Sequence, residues 1–517
     1  MKLSRVRAGV MRNPKSLQDQ VLEIGTRLKS PPSTLLIDSV FAFELAHQEH
    51  LFAAIGLADI AHTLIAIEKN TIPKPEGAEL LANLLELQAK PDSFISTPDR
   101  GDMYTNREAW LAERTPTVGW LGIGRARREA TTTAFVLVMR QLVVELAETL
   151  IALAYQLTRQ ANTHKLSIMP DYTYLQAAQP TSFGHYLLGF VYPLLRDLER
   201  LELLLSQLNC SPMGCGSTNG SRLAQGREQL ADLLGFSKPI PHARDAMWQA
   251  DLPIECAAIL TSSIINLSRL AEDLQIYSTQ EFALVELNDS HARASKIMPQ
   301  KKNPFALTHI RGVANKMLGV LTTIAATART PSGQPDNRLS VYGDLPEATL
   351  MVKNAVALMT EVLEQLMFNQ PRALELVESG WTMATDLSET LVQKCGLDFR
   401  SAHQLVAFLV SAYPGKSALA LTVETLNKAA KIVLGQSLVI TKAQLKTALD
   451  PYQALQVRTE IGGTATESMD SMIADCRVQL AKFSTKTQAN ENHFKTKQIE
   501  LINRASNASS ADTGHRP

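Results

Sequence analysis

The sequence predicts an all-α protein, and three observations carry the prediction. Apolar residues recur at intervals of three and four through most of the chain, the spacing of a single buried helix face. Several of these stripes run far beyond the length of an ordinary strand. Alternating apolar and polar residues, the mark of a half-buried strand, are scarce.

Residues 1–30 are polar and basic, and read as a loose arm with one short helix. From Ser39 to Ile67 a stripe of Leu51, Ala54, Leu57, Ile60, Leu64 and Ile67 predicts amphipathic helix. Ile72-Pro73-Lys74-Pro75 interrupts it, and a second helix follows through Leu87. The stretch from Gly101 to Glu108 opens another, through Leu111. Phe135, Val138, Leu142, Leu146, Leu150, Leu153 and Leu157 then mark a helix of ~30 residues, long enough to span a bundle. Met169 to His185 is a turn-rich insert, and Gly214 to Gly220 a loop of small residues. Tyr186–Leu208, Pro253–Tyr277, Phe305–Thr327 and Glu347–Leu366 are further long amphipathic stretches. A smaller compact region begins near Ser379 and ends in Gly462-Gly463-Thr464.

The expected domains are an N-terminal helical one (1–127), a central long-helix bundle (128–376) and a small C-terminal helical one (377–485), followed by a polar, disordered tail (486–517). The bundle helices carry apolar faces that one subunit is not expected to cover, so other subunits should cover them.

Lysine plus arginine equals aspartate plus glutamate, at 51 each, so no global field favours nucleic acid or an anionic membrane. Cys210, Cys215, Cys256, Cys395 and Cys476 are scattered and odd in number, as in a reduced cytoplasmic protein. They lack metal-ligand spacing, and His47, His50 and His62 read as helix-face residues, so neither metal nor cofactor is expected. No apolar run approaches ~18 residues, so no membrane span is expected, and the basic start lacks an apolar signal core.

Two stretches carry chemistry. In Ala294-Ser295-Lys296-Ile297-Met298-Pro299-Gln300-Lys301-Lys302-Asn303-Pro304, a serine on a polar loop precedes two lysines and a helix start. Asn303 is placed to cap that helix and Pro304 to open it. Free N–H groups and lysine charge there suit a carboxylate or phosphate. The same field eases ionisation of Ser295. An ordinary capped loop explains these residues equally well. The second stretch, Gly119 to Arg128, sets Arg125, Arg127 and Arg128 just before a long helix. It is either a carboxylate clamp or a solvated basic turn.

The first stretch resembles the signature loop of the fumarase, aspartase and argininosuccinate lyase superfamily, Gly-Ser-Ser-x-Met-Pro-x-Lys-x-Asn-Pro. Ala294 and Lys296 stand where that pattern has glycine and serine. Met169 to Pro180, Leu267 to Leu274, Ser278 to Phe282, Met383 to Leu387 and Arg458 to Ala465 are similar to argininosuccinate lyase in particular. The resemblance implies a fumarase/aspartase-type subunit of three domains in a homotetramer whose active sites are shared between chains. It implies anti elimination of fumarate from an N-succinyl substrate, in which nitrogen is bonded to the succinate chain carbon. Ser295 would be the base and Lys301 its catalytic neighbour. Lys301 and Asn303 would grip the carboxylates, with Arg127, Thr173, Gln179 and Ser217 as partners.

Departures from the family pattern are informative. Its Thr-His pair is Thr173-Tyr174, and the glutamate that orients that histidine is Thr308. Tyr104 replaces a histidine, and Arg128 replaces the asparagine of Gly-Arg-Ser-Arg-Asn. Losing both members of the His–Glu pair leaves neither buried without a partner. Tyr104, Arg128 and Tyr174 are therefore expected substrate contacts, in a pocket altered on the amine side. A cationic Arg128 disfavours an arginine leaving group and favours one bearing a carboxylate, unless Glu129 or Asp102 neutralises it. Authentic argininosuccinate lyase and a non-catalytic structural paralogue remain the alternatives.

Overall fold

The computed structural model describes Leu28 and residues 30–510, except positions 224 and 335. The expected N-terminal arm therefore lies almost wholly outside the described residues, as does the end of the tail from 511 onward.

The chain is all-α. Helix α1 (Phe52–Glu68) is buried on nearly every side and packs on α2 (Lys74–Ala89), which Pro75 opens. Helix α3 (Met103–Ala112) is capped by Asp102, whose carboxylate accepts from the Thr105 N–H at 2.8 Å. Helix α4 (Arg127–Thr163) is 37 residues long. The turn-rich insert is an antiparallel hairpin, β1 (Ile168–Thr173) and β2 (Gln176–Ser182). Its register shifts between Pro170 and Tyr172, which hid the alternation from a pattern reading.

Five long helices form the bundle: α4, α5 (Val191–Leu208), α6 (Asp251–Tyr277), α7 (Phe305–Thr327) and α8 (Asp336–Gln365). The short strands β3 (Arg293–Ala294) and β4 (Lys302–Asn303) pair antiparallel just before α7. Helix α5 begins later than Tyr186, after a break at Gly189-Phe190. Helix α8 begins before Glu347 and runs through Pro346, which a sequence reading takes for a boundary. Helices α4 and α8 run parallel. Tyr342 donates to Thr132 at 2.9 Å, Lys353 meets Glu145 at 2.6 Å and Gln160 donates to the Leu363 carbonyl at 2.7 Å, so partners climb both helices together.

One apolar cluster joins α1 and α2 to the bundle, from Leu45 to Ala505. A second, chiefly Val377 to Leu455, is built by α9 (Ala384–Cys395), α10 (Phe399–Ala412), α11 (Val423–Leu434) and their neighbours. Arg458 pairs with Asp386 at 3.0 Å, joining two of the family-like stretches.

One expectation is corrected, and the apolar-run premise of another does not hold. The tail is not disordered over 486–510, because α12 (Thr466–Ser510) is one helix of 45 residues packed on α1, α2, α4 and α5. Leu480, Thr487, Phe494 and Leu501 are buried along it at every seventh residue, enough to dock a helix in otherwise polar sequence. The segment Glu49–Glu68 and helix α6 do have the length and apolar character of a membrane span. Most of each apolar window is buried inside the protein, which is how the core helices of a water-surrounded bundle also read.

Candidate active site

The arginine stretch rests on a buried charge cluster. Asp59, in the middle of α1, is fully buried and pairs with Arg125 and, at 3.7 Å, with Arg107 of α3. Gly56 leaves room for Arg107 to cross α1: a Cβ there would lie 2.9 Å from its Nη2. Tyr104 is 3 % exposed and faces Arg125, and burial raises its phenol pKa against the pull of that cation. Glu108 is pushed up to about 7 by burial and then by the charge of Asp59.

Arg127 opens α4 and reaches back to α3, to Thr105 Oγ1 at 3.2 Å and Asp102 at 3.7 Å. Two residues on, Glu129 accepts the N–H groups of Gly214 at 2.7 Å and Gly216 at 2.6 Å. The Ala126 N–H donates to the Gly216 carbonyl at 3.0 Å. Gly216 sits at φ +73°, and a Cβ there would lie 2.6 Å from the Gly220 carbonyl oxygen. These bonds set Ser217, which is exposed, beside the start of α4. Arg128 is different. Neither carboxylate that could neutralise it does so, since Asp102 faces Arg127 and Glu129 is buried against the glycine loop. Among the described residues Arg128 makes no ion pair.

The hairpin presents the second group. Tyr174 and Leu175 form its two-residue turn, both at positive φ (53° and 57°), a conformation costly for residues with a Cβ. Tyr174 is 99 % exposed, and Thr173 and Gln179 are exposed beside it. Behind them Tyr172, Tyr277 and Phe282 pack at tilted and edge-on angles, and Tyr186 donates to Asp273 at 2.9 Å.

The signature loop is the third. Its base is the β3–β4 pair, locked by Asn303 Nδ2 donating to the Arg293 carbonyl at 2.7 Å. Asn303 is thus not the helix cap expected of it; Pro304 precedes Phe305 with no side-chain cap, and Asn303 instead fixes the loop's return strand. Ser295 Oγ accepts the N–H of Met298 at 3.0 Å and of Ile297 at 3.4 Å. Donors aimed at a hydroxyl oxygen stabilise its anion, which is the state a serine base needs. Lys302 is neutralised by Asp289 at 2.7 Å and Glu286 at 3.0 Å. Lys301, like Lys296, is exposed and makes no ion pair among the described residues, so these two lysines supply the loop's available charge. Ile297, 84 % exposed, stands at the loop's crest. No group of three or more His, Cys, Asp and Glu side chains comes together among the described residues.

Residues 60–319 match the family model described as lyase, and residues 381–456 match that described as argininosuccinate lyase C-terminal. The chain is 32 % identical over 469 residues to the argininosuccinate lyase of Methanococcoides burtonii, covering 88 % of this chain and 92 % of the relative. The chain belongs to the argininosuccinate lyase branch of the fumarase/aspartase superfamily. A second relative, the argininosuccinate lyase of Methanosarcina acetivorans, is 31 % identical over the same shares of each chain. A crystal structure of EDDS lyase in complex with formate matches with a TM-score of 0.83 and 25 % identity, over 94 % of this chain and 98 % of that one. The class II fumarase of Schistosoma mansoni, at 15 % identity and a TM-score of 0.66, shares the fold.

As a lyase of this branch, the chain distributes its expected site residues over three surfaces. Arg127, Arg128 and Ser217 stand together at the start of α4. Thr173, Tyr174 and Gln179 line the hairpin, and Ser295, Lys301 and Asn303 the signature loop. Tyr104 packs one layer behind Arg127, against Arg125. One supporting group was missed: Asp59, which the sequence shows only as a lone carboxylate inside an apolar stripe.

Proposed function

We propose that this lyase releases fumarate from an N-succinyl compound whose amine carries its own carboxylate, in shared sites of a cytoplasmic homotetramer. Breaking a carbon–nitrogen bond with release of fumarate is the chemistry of its family. Ser295 takes the proton from the carbon beside one succinyl carboxylate, and the carbon then carries the electron pair as an aci-carboxylate dianion. Lys301 and Asn303 stabilise that charge, which is larger in the transition state than in the substrate, at ~3–4 kcal/mol per well-placed donor. The electron pair forms the fumarate double bond as the C–N bond breaks, and the nitrogen, already protonated as a secondary ammonium in the substrate, leaves as the neutral amine. Arg127 and Ser217 from one chain, and Thr173, Tyr174 and Gln179 from another, bind the substrate around it.

The amine-side assignment is carried by one observation: Arg125 and Arg127 each face Asp59 or Asp102, and Arg128 faces neither. A guanidinium leaving group would meet that cation, whereas a carboxylate would pair with it. The assembly is supported by the apolar residues one chain leaves in water, Ile297 on the loop and Leu318 and Leu350 on bundle helices.

The test follows fumarate by ultraviolet absorbance with argininosuccinate and a panel of N-succinyl amino acids. Members of the panel should be turned over faster than argininosuccinate. If argininosuccinate is best by a wide margin, the chain is an argininosuccinate lyase, and if no compound reacts it is a non-catalytic paralogue. Light scattering at micromolar concentration should give the mass of four chains, and a monomer would remove the shared site.

A further inference from the structure

Arg338 opens the first turn of α8, and the parallel register of α4 and α8 sets it level with Arg128. Tyr342, one turn further along α8, donates to Thr132, one turn further along α4. Tyr342 also stacks on Phe135, with ring centroids 4.6 Å apart. The two guanidinium groups are close enough to repel. Burial first, then the charge of Arg338, then that of Arg127 lower the pKa of Arg128, against the weaker attraction of Glu44 and Asp102.

Arg338 is 6 % exposed, yet it faces no carboxylate among the described residues. It stacks on Trp248 with its carbon 4.4 Å from the ring centroid and donates one N–H to the Met247 carbonyl. Its Nη1 is buried with no hydrogen-bond partner. A guanidinium out of water with an unused donor is costly, and a second cation beside it raises that cost. An anion between the two arginines would satisfy both. A small cavity of about 50 Å³, lined by Arg338, Thr132, Tyr342, Gln249 and mostly apolar side chains, adjoins Arg338.

We propose that Arg338 and Arg128 together form a carboxylate clamp, and that Arg338 is a specificity-determining residue for the amine half of the substrate. The clamp rests on the fumarate-releasing reading of the site, and it adds a residue on a different helix that fixes where the leaving group's carboxylate lies. Two arginines can hold one carboxylate from both oxygens, a geometry that a lone lysine or arginine at the rim does not offer. The opposing reading is that Arg338 only ties the Met247 carbonyl and the Trp248 ring to α8.

The experiment compares two compounds that differ by one carboxylate, the N-succinyl adducts of glycine and of methylamine. Fumarate release is measured for the wild type, Arg128→Gln, Arg338→Gln and Arg338→Lys, and calorimetric binding of both adducts is measured in an otherwise unaltered Ser295→Ala protein. The wild type should favour the glycine adduct, and each glutamine variant should lower its kcat/KM ~10-fold or more, through KM, and lower that of the methylamine adduct several-fold less. Arg338→Lys should recover part of the preference. Equal losses for both adducts in the Arg338 variants, or no loss in either, would overturn the clamp. Calorimetry separates the two readings. Tighter binding of the glycine adduct, lost on adding Arg338→Gln, with no fumarate from wild type keeps the clamp and refutes the reaction. Fumarate release with equal affinity for both adducts keeps the reaction and refutes the clamp.

Discussion

The floor under Arg127 and the loop that carries Ser295 are built on opposite plans. Beneath the floor, Asp59, Arg107 and Arg125 are sealed from water, with Tyr104 packed over them, and Glu129 ties the glycine loop to α4 with two short bonds. The signature loop bonds mostly to itself, through Ser295, Met298, Lys301 and the Asn303–Arg293 clasp, and leaves Ile297 in solvent. On the proposed function, the groups assigned to recognise substrate are fixed by buried contacts within one chain. The groups assigned to react are held on a short, exposed hairpin. Rigid recognition beside movable chemistry is the arrangement expected where closure excludes water before a charged intermediate forms.

The widest separation between the two plans should come from Ser295→Ala. Turnover should fall ~10²–10⁴-fold or more, with thermal midpoint and assembly unchanged, because the serine packs against little. Retention of a tenth of the activity would show that another group is the base. The reverse pattern belongs to Asp59→Ala. It strands two buried cations, and calorimetric unfolding should show a loss of ~3–5 kcal/mol, with activity falling as a consequence. A variant as stable as wild type would mean that the cluster does not fix the floor.

Tyr174 lies between the two plans, because its backbone is constrained and its side chain is free. Tyr174→Gly should raise hairpin stability by ~1 kcal/mol, since glycine adopts positive φ without strain. It should nonetheless lower kcat/KM if the ring meets substrate in a neighbouring chain. Unchanged kinetics would take Tyr174 out of the site.

The smallest expected effect is in Glu108. Its carboxyl titrates near 7 in the folded chain against an ordinary 4.5. Between those values the folded state holds more protons than the unfolded one, so stability falls as pH rises through that window. Glu108→Gln should flatten the decline of the thermal midpoint between about pH 5 and pH 7.5. An unchanged slope would place the titration elsewhere.

How much of this was legible varied with the kind of signal. The stripe from Phe305 to Thr327 predicted α7 to the residue, because buried positions there follow the helical period. Helix α8 was read too short because Pro346 lacks an N–H and mimics a boundary. The second half of α12 was missed because its buried positions, Thr487, Phe494, Leu501 and Ala505, are too thin a stripe to stand out against lysine, asparagine and glutamine. At the candidate site, motifs alone singled out Ser295, Lys301 and Arg127. The distinction between Arg127 and Arg128 was not, since it depends on which carboxylate each guanidinium reaches across the fold. Arg338 lies more than two hundred residues from Arg128, and only the register of two parallel helices makes them neighbours.

Helix α12 also bears on how the protein is made. Arg504 meets Glu68 at 2.7 Å, and Leu501 and Ala505 complete the cluster that begins at Leu45. A chain synthesised from its amino end therefore carries α1 and α2 with part of their surface uncovered until α12 has been made. That surface is closed only when the last helix leaves the ribosome, by a contact spanning 436 positions. Long-range closure of this kind is slow and leaves sticky intermediates, so the nascent chain is a natural client for chaperones. A ribosome that stops within α12 releases a chain with its signature loop complete and its core still open.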